Sequence, residues 1–557
     1  MDNNKTPVEN KTQEVEKPKK KSILKSGIML SLMTLASRIM GLVRERTRAR
    51  FLGTSMIADA FSTSFMIPNL LRRLFAENSV SAAFIPTFKE YLKNEDNAEN
   101  RKKTQEFISA TFTFLTFVTA IVVALGVLVS PLITKIFCPI PDASASNYAE
   151  LYLLYLAKSA EITNLTRIMF PYLLFISIAA LFQGILNGCG IYAPSGFTPV
   201  LFNALVIAGT YILAPYTKDP AFAMSFGVVA GGIVQALFQW PFIKKTGWKI
   251  TFTGLKKAFT NPGTKKVLKL VAPTIIGMAA YQLNDIVSTR LANITGEGIA
   301  SSLQYSLRMQ ELVLGIFAVS IGTVILPDFS AFAVEKKWDD FNKLFLQAVK
   351  IMTLIAIPVT FYSIVNGKEL ISLLYKKDSF DDASVMLTFG EFKYHMAGLL
   401  FIALNRIIAP AFYAQKKPKL PTLAGIYSFI ANIIFAIVLA RFMQGNGIAL
   451  ALSLSSLINT IFLFIFTKKL ESVEMKKIVS GTILYSIKMI VFSVIAALPC
   501  YYLRPFLVDY FAGRNAFISY GCPALVSLVI FAGVGVLELL ITRDEIARSV
   551  IKKIRRR

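Results

Sequence analysis

Long apolar runs broken by short polar clusters make up most of the chain, and the length of the runs decides what they form. A bilayer-spanning helix needs about 20 mainly apolar residues. A window of that size predicts about fourteen helices. The first six lie near 26–50, 57–75, 107–138, 168–186, 197–215 and 222–243. The next six lie near 267–294, 299–326, 345–365, 392–411, 423–439 and 448–466, and the last two near 478–503 and 517–540. The second run is amphipathic, interrupted by Asp59 and Pro68. It is kept because omitting it puts the loops that follow on the wrong sides. The fold class expected is an all-α integral membrane protein.

The polar clusters alternate in charge. Lys89, Lys93 and Arg101-Lys102-Lys103 fall in one set, with Lys244-Lys245, Lys256-Lys257, Lys265-Lys266, Lys336-Lys337, Lys416-Lys417 and Lys468-Lys469. Both ends of the chain are also basic. The intervening loops are neutral or acidic: Gly53-Thr54-Ser55, 142–161, 218–219, 293–298 and 376–382. Cytoplasmic loops carry the excess of Lys and Arg, so the basic set and both termini are expected in the cytoplasm. The expected organisation is a disordered basic tail (1–25), a first lobe of six helices (26–243), a cytoplasmic linker (244–266) and a second lobe of six (267–468). Two further helices and a basic end (469–557) complete it. Two lobes around a midplane site is a common transporter plan.

Composition excludes other classes. The 557 residues include 44 Phe and a single His, with a net charge of +26. A soluble domain does not combine so many apolar runs with so few charges between them. The basic residues follow topology and build no continuous face, so nucleic acid is not an expected partner. Cys138, Cys189, Cys500 and Cys522 have no metal or redox spacing and read as small buried hydrophobes, although Cys500 and Cys522 flank one outer loop. No phosphate-cradling G-x-x-x-x-G-K-[ST] loop is present, and no H-E-x-x-H or G-x-S-x-G. The chain is therefore expected not to be an enzyme. His395 is expected to pack or to snorkel.

What changes the picture is charge inside the apolar runs. Arg38, Arg44, Arg46, Arg48 and Arg50 share one stretch, followed by Asp59, Arg72, Arg73 and Glu77, and later by Asp285, Arg308 and Glu311. A charge at mid-bilayer costs roughly 2.5–3.5 kcal/mol on insertion scales, so such groups face a water-filled cavity, a partner or a ligand. Arg46, Arg48 and Arg50 sit at a helix end and are read as internal ion pairs or snorkelling groups. Arg38, Arg44 and Arg308 are read as facing an anionic ligand. Arg38 and Arg44 stand roughly 9 Å apart along the axis and about 120° apart around it, so they border one wide face without coinciding. A diphosphate suits the bidentate guanidinium fork. Glu77 is read as the anchor of an arginine.

Three runs of residues carry a family resemblance: Ser37-Arg38…Gly41-Leu42-Val43-Arg44-Glu45, Ala58-Asp59-Ala60-Phe61, and Ile67-Pro68-Asn69-Leu70-Leu71-Arg72-Arg73-Leu74-Phe75-Ala76-Glu77. With Phe170-Pro171-Tyr172, Tyr305…Arg308…Glu311 and Pro410-Ala411-Phe412-Tyr413, the chain resembles the MurJ/MviN lipid II flippases, collinearly from about residue 28 to 469. The resemblance implies the multidrug/oligosaccharidyl-lipid/polysaccharide exporter fold, two lobes in a V around a cationic cavity. It also implies transport of lipid II (undecaprenyl-diphosphate-linked disaccharide pentapeptide) across a bacterial inner membrane by alternating access. Peptidoglycan synthesis machinery and membrane lipids are the partners implied. The cavity arginines it implies are Arg38, Arg44, Arg72 and Arg308, supported by Asp59, Glu77 and Glu311, and the last two helices would guide the polyprenyl tail. Sodium or the membrane potential is the expected driving force and no other cofactor is implied. Asp285 and Asn432 fall where some relatives hold sodium, but Ala436, one turn on, offers no carboxylate. The alternative is a cation-coupled drug or lipid-oligosaccharide exporter of the same fold.

Overall fold

The structure, a computed structural model, describes residues 20–74, 78–93, 97–144 and 146–548. Among these residues the elements are helices. The first lobe contains α1 (Lys20–Leu52), α2 (Met56–Arg72), α3 (Asn78–Lys93), α4 (Ala98–Phe137), α5 (Tyr148–Met169), α6 (Tyr172–Gly188), α7 (Ala193–Leu213) and α8 (Pro220–Lys245). A short α9 (Leu255–Thr260) precedes the second lobe: α10 (Pro262–Thr295), α11 (Ile299–Val334), α12 (Trp338–Val365), α13 (Gly367–Tyr375), α14 (Asp382–Ala397), α15 (Leu399–Ala414) and α16 (Lys419–Phe466). The tail helices are α17 (Met475–Phe511) and α18 (Cys522–Ile541).

Local chemistry starts many of these helices where they start. Asp219 accepts from the backbone N–H groups of Ala221 and Phe222 and precedes Pro220, which loses nothing at a first-turn position. Asn261 before Pro262 does the same for α10, and Asp381 accepts from Ser384 N–H at the start of α14. Pro171 separates α5 from α6. Pro68, Pro358 and Pro410 are carried inside helices.

Within the described residues the expected spans fall on helices, with corrections at their edges. The loop expected over 142–161 is helical from Tyr148, and the tail expected over 1–25 is already helical from Lys20. The amphipathic second run is α2, after which the chain resumes as α3. The runs at 423–439 and 448–466 lie on either side of a break in α16 at Gln444 (φ 49°, ψ −129°). By length and composition, nine of the described helical stretches are apolar enough to cross a membrane. α2 is not among them: at 17 residues it falls short of the length a crossing helix needs.

Packing defines the lobes. In the first, α7 lies between α1 and α8, and α6 packs on α8 and α3. Phe84, Phe88, Phe107 and Phe182 form its buried aromatic layer. In the second, α11 packs on α14 and α15, which lean on α16; Phe329, Phe341, Phe345 and Phe392 fill the centre. α10 serves both lobes, touching α16 as well as α3 and α4. The basic linker is tied to the first lobe: Gln105 and Thr113 of α4 bond the backbone at Lys249 and Thr253. α17 packs on α12, and α18 on α17. Between α12, α17 and α18 runs an apolar groove of about 320 Å³ lined by Leu354, Tyr362, Met489, Phe492 and Phe531. Cys138 and Cys500 are buried, all four cysteines are free, and Cys500 and Cys522 do not bridge.

Candidate functional site

α1, α2 and α11 cross from one end of the lobe interface to its middle, and they carry most of the interior charge. At one end the two lobes are sealed together. The α1–α2 turn and the α10–α11 turn meet there through glycines in left-handed backbone, Gly53 (φ 58°) and Gly298 (φ 78°). A Cβ at Gly53 would lie 2.1 Å from the carbonyl oxygen of Ser379, and one at Gly298 2.2 Å from that of Thr54, so neither turn admits a side chain. Asp59 of α2 is fully buried at this seal. Its carboxylate accepts from the N–H groups of Gly298 (2.8 Å) and Ser301 (2.9 Å) across the lobe boundary, and pairs with Lys158 of α5 at 3.1 Å. A carboxylate at a helix N-terminus meets free N–H donors and the positive end of the helix dipole. Tyr305 Oη donates to the Gly53 carbonyl, Ser379 N–H to that of Arg50, and the hydroxyls of Thr54 and Ser384 bond at 2.9 Å.

Arg308 lies ten residues after Gly298, about 15 Å further along α11, and there the lobes stand apart. Three adjoining cavities of about 360, 390 and 390 Å³ open between them, and Arg308 borders all three. Arg38, Arg44, Arg48, Arg72, Arg73, Arg308 and Arg406 line them, against the carboxylates Glu45, Asp285 and Glu311. Among the described residues, seven guanidinium groups face three carboxylates. The wall is net positive.

Glu45 is the hub of this wall. It is buried and lies 2.7 Å from Arg44, 3.2 Å from Arg48 and 3.9 Å from Arg308, so one carboxylate is shared by three guanidinium groups from two lobes. Arg44 also donates to Asn203 of α7 at 3.1 Å and lies over the rings of Phe65 and Phe202, which fix its direction. Arg48 donates to Gln304 and stacks on Tyr305 at 4.3 Å. Arg38 rests against Gly315 of α11, where a Cβ would come within 2.2 Å of its Nη1. Arg308 pairs with Glu311 at 2.7 Å, and its side chain remains 45% exposed. Arg72 donates to Asn69.

Each expected site residue can now be placed. Arg38, Arg44, Arg72 and Arg308 come together on the cavity wall with Glu311. Asp59 does not join them and belongs to the seal. Glu77 lies outside the described residues. Asp285 and Asn432 share one cavity. Asp285, however, pairs with Arg73 at 3.3 Å and Asn432 donates to Asn284 at 2.6 Å. A single carboxylate already faced by a guanidinium does not fit a bound sodium ion in this arrangement. Arg50 pairs with Asp378, Arg48 with Glu45, and Arg46 is exposed, in line with the reading of internal pairs and surface groups for all three. His395 is buried, as a packed histidine is.

Sequence reasoning missed Arg406, Asn203 and the central place of Glu45, and it named Arg73 as an interior charge without giving it a place on the cavity wall. Arg406 carried the same kind of signal as Arg38, a guanidinium within an apolar run. Asn203 carried none.

Known proteins resemble the chain throughout its length. Residues 48–521 match the family model described as lipid II flippase MurJ. A protein of Treponema pallidum described as probable lipid II flippase MurJ is 42% identical, covering 96% of this chain and 99% of its own. A solved structure of lipid II flippase MurJ in an inward closed conformation superposes with a TM-score of 0.72 at 25% identity, covering 93% of this chain and 99% of its own. An inward-facing multidrug transporter of the MATE family superposes at 0.60 with 12% identity, covering 81% of this chain and 99% of its own, a likeness of fold alone.

Proposed function

The chain belongs to the lipid II flippase MurJ family, and from that membership and the charge of the cavity we propose how it works. It is a multi-pass bacterial membrane protein that flips lipid II. The observation that carries the reading is the excess of arginine around Arg308, at the junction of three cavities between the lobes. A lipid-linked diphosphate brings negative charge to the middle of a membrane. Guanidinium forks from both lobes offset that charge with bidentate bonds. Arg38, Arg44 and Arg72 act from the first lobe and Arg308 from the second. A ligand that pulls Arg44 and Arg308 toward itself loosens both from Glu45, so the carboxylate holds the wall together between turnovers.

The loop charges orient the protein in the inner membrane with fourteen crossings and both termini cytoplasmic. The sealed end with Gly53 and Gly298 then faces outward, and the cavity loads from the cytoplasm. Transport proceeds by alternating access: the Asp59 seal parts, the lobes rock, and fewer guanidinium groups reach the substrate. The polyprenyl chain lies in the apolar groove between α12, α17 and α18. The driving force comes from the membrane potential or an ion gradient. The deciding experiment depletes the protein from its cells and measures the leaflet in which lipid II resides. Accumulation in the inner leaflet is expected, and an unchanged distribution would overturn the reading.

A further inference from the structure

Behind the seal, on the second-lobe side of α11, a second ionisable cluster runs from the seal toward the cavity. Glu391 of α14 is fully buried. Its Oε1 accepts from Ser302 Oγ at 2.8 Å, and its Oε2 has no hydrogen-bond partner. Gly445, beside the break in α16, presses on the same carboxyl: a Cβ there would come within 2.3 Å of Oε1. One turn along α14, His395 bonds Ser306 through Nδ1 at 2.6 Å, and its carbonyl accepts from Gln310. Ser302, Ser306 and Gln310 recur at four-residue spacing on α11, as Glu391 and His395 do on α14. The two helices are therefore joined by polar rungs. These begin beside Ser301, which holds Asp59, and end at His395, which lines the cavity with Gln304 and Arg308.

Among the described residues, the charges around Glu391 leave it without a cation. Across α11 stands Asp59 of α2, already matched by Lys158. On α13, Glu369 bonds Arg504 and Lys368 lies over Phe389. On α14 itself Lys393 also lies over Phe389, and Asp382 pairs with Lys376. Arg406 of α15 lines the cavity, and Lys350 of α12 lies against Tyr485. α16 presents Gly445 and Asn446. A buried carboxylate with no cation costs several kcal/mol, and neutralising the group removes that cost.

We propose that Glu391 is a proton-binding site coupled to the Asp59 seal, loaded from the outer side when the seal parts and discharged past His395 into the central cavity. The inference rests on the transport reading above and supplies its driving ion. With the seal closed, Oε2 carries the proton as a carboxylic acid. Loss of that proton toward His395 and the water of the cavity leaves a carboxylate behind the seal. The charge favours parting of the lobes, because Asp59 then vacates the positive end of α11. Outer water re-protonates Glu391 and the seal closes again. One proton enters for each lipid that leaves.

Two measurements on the full chain test this. In proteoliposomes with the membrane potential clamped, acid on the outer side should raise the flipping rate several-fold, and Glu391→Gln, which stays neutral, should flip no faster than the gradient-free rate and should not respond to the gradient. Independently of flipping, infrared difference spectra between acid and alkaline buffer should show a buried carboxylic-acid band that Glu391→Gln removes and His395→Gln leaves in place. A wild-type rate indifferent to the proton gradient, or a variant that still responds to it, overturns the coupling. Absence of the band overturns the site even if Glu391→Gln folds poorly, because the wild-type spectrum alone decides it. Flipping that fails in every condition while the band persists strikes the transport reading and leaves the proton site standing.

Discussion

The two levels of the lobe interface use the same kinds of charge in opposite ways. At the seal, Asp59 meets one lysine and two backbone N–H groups, and nothing ionic is left over. About 15 Å away along α11, seven guanidinium groups meet three carboxylates among the described residues. Matched charge within hydrogen-bond distance holds structure. Excess charge around open volume waits for a ligand. The resemblance grouped Asp59 with the cavity arginines, yet the geometry assigns it to the contact that keeps the cavity closed at one end.

The comparison predicts different failures at the two levels. The largest effect is expected at the seal. Asp59→Ala strands Lys158 and the α11 donors, and breaking a buried pair costs about 3–5 kcal/mol. The melting midpoint of the purified protein and its folded yield in membranes should both fall. A variant as stable as the parent would show that the lobes are not held there.

In the cavity the expected loss is in transport instead. Arg308→Ala removes charge-assisted bonds worth roughly 1.5–3 kcal/mol each, on the order of a tenfold to hundredfold drop in rate per folded molecule. Arg44→Ala should behave alike, and either lysine variant should lose less, keeping the charge without the fork. Normal flipping per folded molecule in both alanine variants would mean that the excess charge is not for the substrate.

The smallest effect separates real seal contacts from incidental ones. Arg50 and Asp378 form a short pair at the rim, but their side chains are 34% and 51% exposed. Exposed pairs contribute about 0–1 kcal/mol. Asp378→Ala should leave melting and transport close to the parent, and a large loss would place the rim within the gate.

Much of this was legible in the sequence. Apolar runs of membrane length specify helices because backbone groups in lipid must bond within their own segment. The runs therefore gave element positions to within a few residues, except where a break inside a helix or an amphipathic start blurred them, as at Gln444 and Tyr148. The rule that charge inside such runs must face something marked Arg38, Arg44 and Arg308, the family resemblance added Arg72, and the same rule applied to α15 would have marked Arg406. Which charge faces which partner was not legible. Glu45 stands next to Arg44 in the chain, but its meeting with Arg308 needs two lobes brought together, and Asn203 reaches Arg44 from 159 residues away.

The sequence by itself determined the class of the protein, its helices and the positive character of its interior, because hydropathy and net charge are sums over residues and need no geometry. Only the tertiary structure decided that Asp59 closes a seal while Arg308 borders three cavities, and that Glu391 is buried behind the one and His395 beside the other. Those roles depend on distances of a few ångströms between helices far apart in the chain, where electrostatic energy falls off with separation and burial rather than with sequence position.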